Sequence, residues 1–332
     1  MKIQRVHGGR VPPFFSGAMV LLVIVLASVF SSAAAGDRSG QRGFASPQQA
    51  VDALIAAVQD DNDDHLLAIL GSDSEDLIFS GDRVADQNGR VRFLEACEEN
   101  YGLEQDAEGR TVLVVGHKEY PFPIPIVQRD GSWFFDTPSG REEILNRRIG
   151  RNELHTIEVM QAYVDAQREY ISLKHEVGGP AFAQKFTSSP GMKDGLYWEA
   201  EDGGEESPFG PLIARAAEEG YAGSLDQDPP EPLHGYYFRI IKGKGPHANG
   251  GAFDYVVDGK MVLGFALLAY PARYGASGIM TFLINQEGII YEKDLGEESV
   301  TAAAAITTFD PDDTWNMYYP PGVYTTEESV RK

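Results

Sequence analysis

The apolar positions along this chain change period twice. From residue 46 the period is helical: Ser46 stands as N-cap, Pro47 takes the first helical position, and Gln49 follows three residues after the cap, as in a capping box. Val51, Leu54, Ile55 and Val58 then fall at i, i+3, i+4 and i+7, which makes one buried stripe. The run DDNDD at 60–64 reads as a solvated connector and DHLLAILG as a second short helix stopped by Gly71; a further helix is predicted over Val91 to Asn100. At TVLVVG, 111–116, the period becomes that of strands, and Asp130-Gly131 between two apolar runs signals a hairpin. Pro121, Pro123 and Pro125 occupy alternate positions, so their missing N–H groups all point to one side. Tyr120 to Val127 is therefore predicted to be an edge strand or extended arm, pairing on its other side and open to strand addition by another envelope protein.

From Arg141 to about Glu176 the period is helical again, with Ile144, Ile149, Leu154, Ile157, Val164 and Ile171 at near-helical spacing, Gly150 as a candidate kink and Gly178-Gly179-Pro180 as the stop. FGPLIARAAEEGY predicts one more short helix, and DQDPPEP at 226–232 a rigid linker. GYYFRIIK, AFDYVV, KMVLGFALLAYPA, GIMTFLIN and IIYEKDL, joined by turn residues, predict an antiparallel meander. The fold class is α+β: N-terminal helices with a curved antiparallel sheet, analogous in layout to the nuclear-transport-factor-2-like cone, then a long connecting helix and a C-terminal meander. An architectural analogy of this kind does not fix function. The predicted organisation is an N-terminal α+β domain at 44–140, the connecting helix at 141–178 and a C-terminal α+β domain at 179–318.

Ahead of these lies a different pattern. Lys2, Arg5 and Arg10 precede the apolar run Ala18 to Phe30, and Ala33-x-Ala35 follows, which predicts a cleavable Sec-type signal over residues 1–35, a polar tether at 36–43 and, at the other end, a flexible tail at 319–332. The apolar run is shorter than the roughly 20 residues of a spanning helix, so no stable membrane span is expected after cleavage. The expected location is the periplasm. The chain carries a formal charge of −22; removing the three basic residues of the signal leaves 25 Lys and Arg against 50 Asp and Glu. Such a balance repels nucleic acid and anionic lipid. Cys97 is the single cysteine and stands at helical spacing from Phe93 and Leu94, so it reads as a buried thiol.

Candidate chemistry is sparse. GKGPHANGG, Gly243 to Gly251, is glycine-rich and flanked by Lys242, but a strand follows it rather than the helix N-terminus that a phosphate cradle needs, so it reads as a loop and no cofactor is expected. His234 and His247 would approach each other if this loop folds back, and with Asp254 and Tyr236 they form a candidate cleft. Asp310, Asp312 and Asp313 in FDPDDTW supply hard oxygen donors for an ion, without the twelve-residue calcium-loop pattern. Arg147, Arg148 and Arg151 cluster on the connecting helix as an anion-binding candidate, against which Glu143 lies four residues before Arg147 as an internal ion-pair partner.

Several strings together carry a family likeness: FASPQQAVDALIAAV, the SGD at Ser80 to Asp82, YPFPIPIV, WFFDTPSGREEILNRRIGRNEL, SPGMKDGLYW, and HGYYFRIIKG through IIYEKDLG. Over about residues 44 to 316 the chain resembles the bacterial exported family known as domain of unknown function 2950. The resemblance implies a two-part exported protein of Gram-negative bacteria, and it brings no activity, cofactor or catalytic residues. The function expected is a non-enzymatic binding or envelope-assembly module; the alternative is a hydrolase acting on an envelope polymer through carboxylates and a histidine pair.

Overall fold

Ser46 accepts the Gln49 N–H through its hydroxyl, Pro47 opens the first turn, and helix α1 (Pro47–Gln59) buries Ala50, Val51, Leu54, Ala57 and Val58 along one side. The computed structural model describes residues 40–173, 179–200, 204–221, 225–226 and 230–319; the predicted signal segment, most of the tether and nearly all of the tail lie outside them. Helix α2 (Asp63–Leu70) is capped by the Asn62 side chain, which accepts the His65 N–H, and ends at Gly71 with φ +100°. After the short α3 (Glu75–Ile78), helix α4 (Arg83–Glu99) begins eight residues before the predicted Val91. Only Cys97 is buried along α4, so no apolar stripe announces it; its start is set by Asp82, which accepts the Ala85 N–H. Burial pushes the Cys97 thiol up to about 11.

The first sheet is antiparallel, in the order β1 (Tyr101–Gln105), β2 (Thr111–Val115), β4 (Ile126–Arg129) and β5 (Ser132–Phe135), with β3 (Tyr120–Pro121) also pairing β2. Asp130 and Gly131 take φ +49° and +82°, the two positive values that a two-residue primed turn requires. The expectation of one edge strand from Tyr120 to Val127 holds at β3, which pairs β2 alone, and is corrected further along. On one side the Phe122 N–H donates to Leu113 O at 2.7 Å and β3 pairs β2; further on, β4 lies between β2 and β5. The other side is also used: Pro125 O accepts the Asp136 N–H at 2.7 Å, and the Pro123 carbonyl lies against Gly140. The carbonyls of Pro123 and Pro125 thus face the start of the next helix.

That helix, α5 (Thr137–Ser172), runs for 36 residues, about 54 Å. It starts four residues before the predicted Arg141 because Thr137 donates its hydroxyl to Leu70 O and Pro138 pre-sets the first turn. It is helical straight through Gly150, and the predicted stop at Gly178 falls outside the described residues. Ile144 and Leu145 pack against a first core made by α1, α2 and the first sheet, while Ile157, Met160, Tyr163, Val164 and Tyr170 enter a second core. The same helix serves both.

The second core is closed by α6 (Gly210–Glu218) and a second antiparallel sheet. Its strands are β6 (Tyr236–Ile241), β11 (Ala266–Pro271), β12 (Met280–Asn285), β13 (Ile290–Asp294) and β14 (Asn316–Met317), ordered β14-β13-β12-β11-β6. The AFDYVV segment, expected as one strand, divides: β8 (Phe253–Asp254) pairs β7 (Gly243–Lys244), whereas β9 (Val256–Val257) pairs β10 (Lys260–Met261). The division falls at Tyr255, which is fully buried. Helix α7 (Ser299–Ala305) covers β11. The fold is α+β, and among the described residues no helix is long and apolar enough to cross a membrane.

Two glycines of α5 separate packing from propensity. A Cβ at Gly140 would stand 2.4 Å from Pro123 O and 2.7 Å from Ile124 N, whereas Gly150 has open space around it. Gly140→Ala is expected to destabilise the protein by roughly 2 kcal/mol or more through a backbone clash, and Gly150→Ala to stabilise it by about 0.8 kcal/mol. Urea unfolding of the two variants checks this; equal effects of one sign would show that α5 does not seat on the Pro-rich strand.

Candidate functional site

Residues spaced 144, 148, 151, 152 and 155 recur on one side of α5, and with α4 and the Pro-rich strand they bound a cleft of ≈ 570 Å³. This is within the ~300–1,000 Å³ usual for small-molecule sites. The floor is hydrocarbon because the buried stripes of α1 and α2 end there: Leu54, Val58, Leu66 and Leu70 line it, with Phe93 and Ile124. Its charged lining is mostly cationic, five arginines against Asp86 and Glu219, which is unexpected in a chain of net charge −22.

Five arginines reach the cleft, and they differ in what they touch. Arg90 pairs with Asp61 and, at 2.6 Å, with Asp63; Arg147 pairs with Glu143, the partner expected at i−4. Arg148 donates to Asp76 O at 2.7 Å and Leu77 O at 2.6 Å, and burial holds its guanidinium below the usual arginine range while Asp86 and Asp76 draw it back. The guanidinium groups of Arg92 and Arg151 make no hydrogen bond and no ion pair among the described residues. Burial, and then the charge of Arg92, hold Arg151 below its usual value.

At one end of the cleft the two cores are tied by a carboxylate. Asp82 is 1% exposed; its Oδ1 accepts the Ala85 N–H at 3.0 Å, and its Oδ2 accepts the Tyr221 hydroxyl at 2.9 Å and the Gly235 N–H at 2.7 Å. Gly235, at φ +80°, admits no side chain here, since a Cβ would stand 2.5 Å from Asn152 Nδ2. The preceding Phe79 carbonyl accepts Arg273 at 2.9 Å. Burial raises the Asp82 carboxyl against the pull of these donors, and it raises Asp86, which accepts the Ser80 N–H at 3.0 Å.

His234 stands beside this tie in a left-handed conformation, φ +51°, with its ring 4.6 Å from that of His155 and 5.2 Å from that of Tyr221. Burial pushes its imidazole down to about 4; Glu219 works against this, and His155 and Arg215 add to it. The 3.5 Å approach of Nδ1 to Glu219 is therefore not an ion pair at neutral pH, because the ring is uncharged there. His234 thus packs on His155, and the approach to His247 that would follow from a folded-back loop is not made.

His247 lies on Asp310 instead: Nδ1 to Oδ2 is 2.8 Å, and Asp310 Oδ1 also accepts the His247 and Ala248 N–H groups at 2.7 and 3.1 Å. This bond raises the imidazole above its ordinary value. Asp310 thereby shapes the glycine loop, whose Lys244 is buried and donates to Asn249 O. Asp312 accepts the N–H and hydroxyl of Thr314, and Asp313 takes no bond with these two, so the three carboxylates are not turned to one point. Among the described residues no cluster of three or more His, Cys, Asp or Glu is placed to hold a metal. Asp254 is exposed on β8, and Tyr236 is buried in the second core with its hydroxyl donating to Met280 O at 2.9 Å.

Of the predicted candidates the structure gathers Arg147, Arg148, Arg151 and His234 at one cleft and sends Tyr236, His247, Asp254 and the three aspartates elsewhere. Sequence reasoning missed Arg92, His155, Asp82, Asp86 and Tyr221. The available signal was the polar stripe Arg148, Arg151, His155 at helical spacing, in register with Ile144 on a helix otherwise read for its apolar positions.

A family model described as Protein of unknown function (DUF2950) matches residues 41–318. No curated protein and no solved structure matches the chain.

Asp82→Ala removes a helix cap, worth about 1 kcal/mol, and strands the Tyr221 hydroxyl and the Gly235 N–H, each worth roughly 1–3 kcal/mol. A loss near 4 kcal/mol in urea unfolding is expected, and Asp82→Asn should not restore it, since its amide N–H would oppose Gly235. A loss under about 1 kcal/mol would show that the tie is incidental. Because the folded pKa of His234 lies below the unfolded 6.5, the unfolded chain takes up this proton first as pH falls. Its contribution is present above pH 6.5 and is lost toward pH 4, about 3 kcal/mol in all. Asp82 and Asp86 act in the opposite sense at the acid end, their stabilisation falling as pH rises above 3.8. His234→Asn, which tolerates φ > 0, is expected to flatten the stability profile between pH 7 and 4; a profile parallel to wild type would contradict the buried, neutral histidine.

Proposed function

The chain belongs to the family of proteins of unknown function designated DUF2950, and from that premise we propose that it is a non-enzymatic binding module which holds a small ligand in the arginine-rimmed cleft. One observation carries the reading: a cleft of ≈ 570 Å³ with a continuous apolar floor, opening between elements that share α5. The polar groups beside it favour holding a ligand over hydrolysing one. The Asp82 oxygens are taken by a cap, a hydroxyl and a backbone N–H; the Tyr221 hydroxyl donates to Asp82 and accepts from the His234 N–H; and Arg148 is engaged with two carbonyls. A hydrolase would need such groups free to exchange protons with a substrate.

The basic start, the apolar run Ala18 to Phe30 and Ala33-x-Ala35 support export of the chain to the periplasm of a Gram-negative cell. Its excess of 50 acidic over 28 basic residues suits solubility there and discourages adhesion to anionic surfaces. Together these make a soluble envelope protein that sequesters or presents a small molecule. For docking of a second protein along Tyr120 to Val127, the exposed β3 end at Tyr120 and Pro121 is the accessible part, since β4 lies between β2 and β5.

Gly89 offers a clean test. It lines the cleft from α4 with nothing within 4 Å of an added Cβ. Gly89→Phe should therefore fill the cleft while improving helix propensity by a few tenths of a kcal/mol. The neutral apolar fluorophore N-phenyl-1-naphthylamine is expected to bind the wild-type protein saturably and the variant at least about tenfold more weakly, with the melting temperature unchanged or raised. No saturable binding to wild type, or equal binding to both, would remove the cleft as the site.

A further inference from the structure

We infer that the ligand of this cleft is an amphiphile, an apolar body lying on the hydrocarbon floor with an anionic group seated between Arg92 and Arg151. The inference rests on the binding-module reading and adds to it the chemistry of the ligand.

The first ground is the distribution of charge. Arg110, Arg129 and Arg141 pair with Asp106, Asp136 and Asp76, and at the cleft itself Arg90 pairs with Asp61 and Asp63. Yet Arg92 on α4 and Arg151 on α5 both line the cleft, act on each other as like charges, and have no acceptor among the described residues. Two adjacent cations beside a low-dielectric wall repel, and an anion placed between them relieves the repulsion with charge-assisted hydrogen bonds. The planar forks of arginine suit carboxylate and phosphate alike.

The second ground is the floor, which is independent of the first. Leu54, Val58, Leu66, Leu70, Phe93 and Ile124 present a continuous apolar surface that a free inorganic anion would leave uncovered. A ligand with only a charge would use the rim, and one with only hydrocarbon would ignore it. The two together select a molecule that has both. Arg147 and Arg148 at the same rim keep their own partners and add positive potential without competing for the seat.

Displacement of N-phenyl-1-naphthylamine from the full chain tests the head group with the tail held constant, using dodecanoate, dodecyl phosphate, dodecanol and dodecyltrimethylammonium below their micellar concentrations. Dodecanoate and dodecyl phosphate are expected to displace the probe at least about tenfold more tightly than dodecanol, and the cation more weakly than dodecanol. Arg151→Gln and Arg92→Gln should each remove most of the advantage of the anions over dodecanol, and melting temperatures close to wild type show that the variants are folded. Raising the salt concentration should narrow the gap between anion and alcohol. If all four ligands displace the probe equally, the anionic seat is overturned while the cleft reading stands. If the probe itself does not bind, the cleft reading fails first. Displacement by inorganic phosphate alone, as tight as by dodecyl phosphate, would overturn the amphiphile and leave a simple anion site.

Discussion

One buried carboxylate carries the connection between the two cores. Asp82 starts α4, receives the hydroxyl of Tyr221 and receives the backbone of Gly235, three contacts whose partners lie 3, 139 and 153 residues away. Each donor offsets part of the cost of removing a charge from water, and burial still wins, since the carboxyl is raised rather than lowered. A half-satisfied arrangement here would be worse than none. The left-handed Gly81, Gly235 and His234 are the backbone conditions for bringing all the donors to one point.

The cleft depends on this tie. Its apolar floor comes from elements 54 to 124, its rim from α4 and α5, and one end is closed by Tyr221 and His234 from the second half of the chain. Asn88 on α4 adds a bond of 2.7 Å to Glu219 O, so α4 is fixed to the second half at more than one point. Position and charge at the rim therefore follow from long-range contacts and not from any local motif.

What could be read from the sequence divides along the same line. The α1 cap, the Asp130-Gly131 turn, the long helix and the meander are legible because each is set by residues a few positions apart. The start of α4 was missed because its side chains are mostly half-buried or exposed and its cap, Asp82, stands nine residues before the predicted Val91. SGD at 80–82 was visible as a string shared with a family, but its partners are too far along the chain for spacing to show them. The arginines of α5 were seen as a cluster, and which of them had partners depended on Asp76, Leu77 and Arg92 on other elements. The pairing of His234 with His247 failed because Asp310, 63 residues downstream of His247, takes the loop that was to bring them together.

The shared helix α5 has a consequence for the order in which the chain becomes a protein. The first 135 residues contain the helices and sheet of the first core, but Ile144 and Leu145, which cover part of it, and Gly140, which seats the Pro-rich strand, come later. Until that turn of α5 emerges, the first core lacks the cover of Ile144 and Leu145. Domains generally form as they are synthesised, from the N-terminal end. Here the first core must wait for the opening turns of α5, and it is not locked until Gly235, 84 residues beyond Arg151, reaches Asp82. During that interval the floor and rim of the cleft are already in the chain, while the end closed by Tyr221 and His234 is not.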